Sequence, residues 1–498
     1  MVSQNLRQSF KLNSLPVQII AGCGFGLMLG VVCLRFSVLL AFGILVTVLL
    51  IYATLKRPEI ALVGILIATS SIVFEEQLPL VFLGGISLHI SDILLLGLLG
   101  LIGVRWVAKP GFKIVRTPLD RPLLIFYGVT LLSTLIAIAQ SSVDVVDARR
   151  AMRVLSYYLT FFIVTNLVRE LRQLNFLLRS LYFLATIVAT AMVVQFLLGD
   201  SIRLLPGRVE SLATQGTLYE GITRILPPGW SIILVSFVCI LCVLILEKIR
   251  LQGTLRFMQL GLLGMALLVT FLRSYWAALF IVFILLAYIV KGEERRMFVR
   301  WGLVAIFSVA MILIIIFVDT GSRAARLIDA SLDRLSTLGR SGTFRGEDSS
   351  LDWRKIENRY ALSTISSHPL IGLGMGAKYR PRDSKLDQRT PRGYTADLRG
   401  LIHNGHLGIL LQSGLLGYLS LMWLSFVFLR RGFRYWRDVV SDRLRGVVLG
   451  ITLTYLIVLI AAVANSTFMQ WRWTPVLGIM MGINEAILRE FGHEDSDA

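Results

Sequence analysis

The chain has 498 residues, 55% hydrophobic and only 16% charged, with a mean hydropathy of +0.73. Those values exclude an ordinary soluble protein of this size, because runs of the roughly 20 apolar residues that cross a bilayer core recur through most of it. A formal charge of +19 points to nucleic acid in a soluble chain; in so apolar a chain, the placement of the charges is what informs.

In chain order, hydropathy predicts fourteen helices, at about 17–34, 36–55, 60–75, 92–107, 121–139, 152–168, 176–198, 229–247, 255–272, 275–291, 300–318, 405–429, 446–466 and 470–487. The turn at Arg35, the short third span and the last helix carry the weakest signals, so the class is an all-α polytopic membrane protein of about 12–14 transmembrane helices with one long external loop. The domain reading is residues 1–318 for helices 1–11, 319–404 for the long loop, 405–488 for helices 12–14 and 489–498 for an acidic tail. No cleavable signal peptide is evident, since the first apolar run continues to Arg35 without a small-residue cleavage site. The cysteines Cys23, Cys33, Cys239 and Cys242 all lie in apolar runs, and the CxxC at 239–242 reads as packing.

Orientation follows from Lys and Arg. With the N-terminus inside, the inside loops hold 26 of the 50 basic residues. The short outside connections hold nine: Arg35, Arg149, Arg150, Arg153, Arg203, Arg208, Arg224, Arg273 and Arg472. The remaining 15 fall in 319–404, beside 10 acidic residues. This split puts both termini in the cytoplasm and the long loop outside. A loop of that length is usually functional. "SRAARLIDASLDRLSTL" and "DWRKIENRYALSTISS" read as helical, "RPRDSKLDQRTPRG" as extended.

Arginine on the external side runs against the topological trend and suits anions. Arg273, in "FLRSYW", sits between two apolar runs; it is either a phosphate ligand or an anchor to lipid headgroups. Arg354 lies in a stretch whose Trp353, Ile356, Tyr360 and Ala361 suggest an amphipathic helix, with Asp352 and Glu357 as ordinary ion partners. "HPLIGLGMG", 368–376, supplies Gly372, Gly374 and Gly376, either to bring N–H groups to a ligand or to turn the chain; it is not a P-loop. "LIHNGHLGILLQSGLLG", 401–417, places His403, Asn404 and His406 in the first turn of a helix. A metal site needs more ligands than these. An imidazole at the water–membrane boundary serves as a base or a donor to phosphate; the plain alternative is a capping Asn with interfacial histidines. The chain lacks a mid-span Asp or Glu, an inverted repeat and a Walker motif, which leaves a transporter without its usual polar machinery.

"LDWRKIENRYALSTISSHPLIGLGMG" followed by "HNGHLGILLQSGLLGYL" resembles the bacterial O-antigen ligase and polymerase superfamily. The matching positions are Arg354, His368-Pro369, Gly372, Gly374, Gly376, His403-Asn404, Leu407, Gly414 and Gly417; the "LRSYW" of Arg273 is similar to an arginine the family carries at an outer helix junction. The resemblance implies a GT-C-like glycosyltransferase of the inner membrane. It would act at the periplasmic face on a glycan linked to undecaprenyl pyrophosphate. The acceptor would be a sugar hydroxyl of lipid A core or of another lipid-linked glycan, and no metal or nucleotide is implied. Arg273 and Arg354 would then stabilise the leaving pyrophosphate, and His403 would be base or phosphate ligand. Asn404, His406, Arg359, Arg380 and Arg382 would bind substrate. Direct attack would invert the anomeric centre. A lipid-linked glycan transporter and a membrane scaffold are the alternatives.

Overall fold

The structure is a computed structural model. It describes residues 52–70, 72–73, 75, 80–83, 86–199, 204–205, 207–214, 217–248, 254–303, 349–382 and 398–490, with a few more between 23 and 45. The expected spans 17–34, 36–55 and 300–318 lie largely outside these residues, as do the stretch 322–338, residues 383–393 and the acidic tail. The chain divides into two compact units, Met1–Ala61 and Leu62–Ala498, and the candidate site lies wholly in the second.

Helix α1 (Pro58–Thr69) leads through a hairpin of β1 (Val81–Leu83) and β2 (Ile86–Leu88) to α2 (Ile90–Ala108) and α3 (Asp120–Ala139). Then come α4 (Val145–Ser156), α5 (Thr160–Leu167), α6 (Leu171–Leu198), and an antiparallel hairpin of β3 (Arg208–Thr214) and β4 (Thr217–Leu226). Next are α7 (Trp230–Leu246), α8 (Thr254–Val269), α9 (Arg273–Ile289) and α10 (Ser349–Ser367). The chain ends in α11 (Gly405–Tyr435), α12 (Asp442–Ala461) and α13 (Thr474–Glu490). Among the described residues, α2, α3, α6, α11 and α12 are long and apolar enough to cross a membrane, and α1, α7, α8 and α9 are shorter apolar helices. The protein is an all-α polytopic membrane protein with little sheet.

Differences from the expected boundaries have polar causes. Helix α6 starts five residues early because Gln173 accepts hydrogen bonds from the N–H groups of Arg169 and Glu170, at 3.0 and 3.3 Å, capping a charged first turn that hydropathy does not see. Helix α4 is amphipathic and starts at 145, where the Asp144 side chain accepts from the Val146 N–H at 2.7 Å. Helix α11 runs on past 429 through Arg430, Arg431 and Arg434. The connection between the expected spans 176–198 and 229–247 carries the β3–β4 hairpin, with a register shift between Ser211 and Leu212.

The core is built on close helix contacts. Helix α7 is buried along nearly its whole length and packs on α12. Gly446 and Gly450, four apart on α12, let the backbones meet: a Cβ on Gly450 would stand 2.6 Å from the Cys239 Cα. Gly478 and Gly482 of α13 do the same against α5, where a Cβ on Gly482 would stand 2.6 Å from the Val164 Cβ. Cys239 and Cys242 are buried free thiols within this packing.

Candidate active site

Helix α10 is held on the membrane helices by a small apolar core. Ala361, Tyr379, Ile402 and Leu411 are its buried members, with Tyr360, Leu373, Leu407 and Met469 packed around them. Its aliphatic members Ile402 and Leu411 stabilise by about 1.5–3 kcal/mol each when fully buried. That core fixes one face of α10 beside the start of α11, where His403 stands.

Glu357 is the junction. Its side chain is 5% exposed, against 38% for His403. The His403 ring Nδ1 lies 2.9 Å from Glu357 Oε2 and 3.1 Å from Oε1, and the His403 backbone N–H donates to the same Oε2 at 3.0 Å. A carboxylate only accepts, so Nδ1 carries the proton. In the neutral ring this leaves Nε2 as the basic nitrogen, on a side chain that reaches solvent. Next to it, Asn404 caps α11 by accepting from the Leu407 N–H at 3.1 Å.

Arg354 lies one turn before Glu357 on α10, on the same side of the helix, and is half-buried. Arg359 is exposed, and its five-residue offset from Arg354 turns it away from that side. Arg380 is buried beside Tyr379, its Nη1 donating to the Pro381 carbonyl at 3.3 Å. Burial, and then the Glu357 charge, push the Tyr379 phenol above its ordinary range, with Arg380 opposing. Tyr379 and Arg380 thus sit in the field of Glu357. Arg382 is exposed.

Arg273 is the first residue of α9, and Asn465 ties that helix start to the site. Its Nδ2 donates to Ser274 Oγ at 2.7 Å, and its carbonyl accepts from the Gly405 N–H at 3.1 Å. Arg273-Ser274 and Asn404-Gly405 therefore meet across one asparagine. The sequence reading missed both Glu357, taken as a local partner of Arg354, and Asn465, inside an expected span.

His406 goes elsewhere. Its Nε2 is 3.1 Å from the Leu459 carbonyl, which must accept, so Nε2 is the donor and Nδ1 faces the Tyr418 hydroxyl at 3.4 Å. The ring packs edge-on to Tyr418 and Phe468. Three residues of spacing send His403 to α10 and His406 to the last turn of α12. These contacts do not support a substrate-binding role for His406.

The glycine run also departs from an anion cradle. Helix α11 breaks at Gly414 (φ 65°, ψ −170°). The N–H groups of Leu373 and Gly374 donate to the Leu411 and Gln412 carbonyls, both at 2.9 Å. In return the N–H groups of Leu415 and Leu416 donate to the Pro369 and Leu370 carbonyls at 2.8 and 3.2 Å. Unmet backbone groups at membrane depth cost several kcal/mol each, and 369–374 satisfies four of those beside the break. Met375 and Gly376 donate to Thr134 Oγ1 and Gln412 Oε1. Gly372 and Gly374 have φ of 75° and 84°, and a Cβ on Gly372 would stand 2.6 Å from the Gly414 nitrogen.

The segment from Ala462 to Trp473, between α12 and α13, runs from this site to a second charged group. Tyr158 OH donates to the Phe468 carbonyl at 3.3 Å, and Trp471 meets Tyr157 with ring centroids 4.3 Å apart. There Arg153, over the Trp471 ring, binds Asp92 through Nε at 2.7 and 2.8 Å and Glu75 through Nη2 at 3.1 Å. Tyr157 OH donates to Asp92 at 2.6 Å, and Ser91 binds Glu75 through its N–H and its hydroxyl. Among the described residues no group of three or more His, Cys, Asp or Glu is placed to hold a metal ion.

Fold and site together define an integral membrane protein with a histidine–carboxylate pair and arginines gathered at one end of its helices. Residues 258–422 match the family model of O-antigen ligase, and this match supports the resemblance of that segment to the O-antigen ligase and polymerase superfamily. The match holds Arg273, Arg354, Glu357, His403 and Asn404 and covers about a third of the chain. No curated protein matches the chain.

Proposed function

We propose that the protein transfers a glycan from undecaprenyl pyrophosphate to an acceptor hydroxyl at the outer face of the bacterial inner membrane, with both termini in the cytoplasm. The observation that carries this reading is the buried Glu357 holding His403 by ring and backbone, one helical turn from Arg354. His403 Nε2 takes the proton of the acceptor hydroxyl, and the Glu357 carboxylate stabilises the imidazolium that forms. The acceptor oxygen attacks the anomeric carbon from the face opposite the pyrophosphate, whose bond to the sugar breaks with its electron pair, so the centre inverts. Arg354 and Arg273 meet the charge that gathers on the departing pyrophosphate, a role that preorganised cations fill best at a partly dry site. Arg380 and Arg382 line the route by which a charged or glycan substrate reaches His403, and the exposed Arg359 stands off that route. Asn404 fixes the first turn of α11.

The test is glycan transfer by the full chain in nanodiscs, supplied with a lipid-pyrophosphate-linked oligosaccharide and candidate acceptors. Wild type releases lipid pyrophosphate and glycosylates an acceptor; folded His403→Ala does not. Full turnover by that variant removes His403 from the mechanism. Movement of the lipid-linked glycan across the bilayer without release would make the protein a transporter. Sugar gained by lipid A core marks a ligase, and sugar gained by a second lipid-linked glycan marks a polymerase.

A further inference from the structure

At the far end of the same helices lies a groove of about 610 Å³ where the ends of α9 and α11 meet. Both helices start at the site end, α9 at Arg273 and α11 beside His403, so the groove opens at the opposite face of the bundle. Its lining includes Lys291, Arg295, Arg434 and Arg437 with Tyr288 and Trp436, and no acidic residue among those described. The nearby Glu293 and Asp442 are paired with Lys248 and Arg445, at 2.9 and 2.8 Å.

The groove is built and not merely charged. Arg437 Nη2 donates to the Ile289 carbonyl at 2.8 Å, joining the ends of the two helices. The same guanidinium lies 4.9 Å over the ring of the buried Trp436, which limits where it points. Four cations in one concavity suit the two unesterified oxygens of a phosphodiester, which a guanidinium fork meets in pairs.

A lipid is favoured over free phosphate by the surface leading to the groove. Phe280, Ile284 and Tyr288, four apart on one side of α9, are all exposed, Tyr288 at 80%. They form an apolar stripe that ends at the cations, as an acyl chain ends at its headgroup. We infer that this groove binds the headgroup of an anionic phospholipid in the leaflet opposite the His403 face, with a chain lying along α9.

The test is native mass spectrometry of the full chain in mild detergent, titrated with phosphatidylglycerol, phosphatidylcholine and inorganic phosphate. Wild type should retain phosphatidylglycerol at least about tenfold better than phosphatidylcholine, and R295Q/R434Q/R437Q should lose that preference. K109Q/R116Q/R121Q, which removes three exposed cations after α2 at the same face, should keep it. Equal losses in the two triple variants would show attraction to surface charge alone and overturn the site. Displacement of bound phosphatidylglycerol by millimolar phosphate would overturn the lipid assignment in favour of a free-anion site. Should the groove variant misfold, photo-crosslinking of wild type with a diazirine analogue of phosphatidylglycerol decides: labels on 280–292 support the site, and labels elsewhere overturn it.

Discussion

His403 and Glu357 set the strongest expectations for single residues. Under the proposed mechanism, His403→Ala lowers turnover by about 10²- to 10⁴-fold, the usual contribution of a general base. Glu357→Gln keeps the shape and removes the charge, so turnover falls by about tenfold or more with the fold intact, and its pH–rate profile shifts from that of wild type. An unchanged profile would reduce Glu357 to a packing residue. Glu357→Ala also orphans the His403 backbone N–H and costs about 1–3 kcal/mol of stability, readable as a lower melting temperature. Arg354→Ala should lose activity, while the exposed Arg359→Ala should stay within about twofold in the same assay. The raised Tyr379 phenol makes a separate point: burial favours its neutral form in the fold. Its contribution to stability is therefore complete below the ordinary tyrosine value near 10 and is lost as pH rises through the higher folded value. Alkaline titration followed by phenolate absorbance should lose a late-ionising component in Tyr379→Phe, the exposed tyrosines ionising before it. His403 and Asn404 were legible in the sequence because a polar pair before an apolar run is a local signal. Glu357 was not, because its partner is 46 residues away and Arg354 offers a nearer one.

Among the elements, α11 is the least regular and the most constrained. A break in a membrane helix is tolerated where other groups take its backbone bonds, and here one short segment supplies four. Gly414→Ala places a Cβ at positive φ against the Leu370 carbonyl; it should cost at least about 1–3 kcal/mol and expose 369–376 to faster hydrogen exchange. The Arg153 group fixes α4 to the start of α2. Removing one partner of a largely buried ion group leaves the others uncompensated, so Asp92→Ala should destabilise by about 3 kcal/mol in a thermal melt, with Arg153→Gln close behind. Glycines stand at 405, 408, 414 and 417. Gly405 and Gly408 pack against Asn465 and Met469, but nothing local marks Gly414 as a break. It lies in an unbroken apolar run, and what permits the break arrives from residues 40 positions earlier. The Gly446/Gly450 and Gly478/Gly482 pairs, by contrast, were available as spacing alone.

For the whole molecule, the composition fixed the class at once, since no soluble core absorbs so much apolar surface. Helix ends were less legible wherever charged turns extend a span, as at Leu171 and Tyr435. The proposed orientation makes a direct prediction: in sealed vesicles of known sidedness, a cysteine at the exposed Arg382 reacts with an impermeant maleimide from the periplasmic side only. A cysteine at Lys109, at the far end of α2, reacts from the cytoplasmic side only. Reversed labelling would invert the topology and put the site in the cytoplasm.

The segment that ends at Arg382 and the one that begins at Leu398 are joined directly. The Tyr379 N–H donates to the Arg399 carbonyl at 3.3 Å, and its hydroxyl donates to the Leu401 carbonyl at 3.2 Å. Two such bonds tie Tyr379 to the chain that leads into His403, so their register does not rest on the covalent path between them alone. In engineering terms the site is stapled: a chain cut between Arg382 and Leu398 should still hold Tyr379 beside Leu401, two residues from His403.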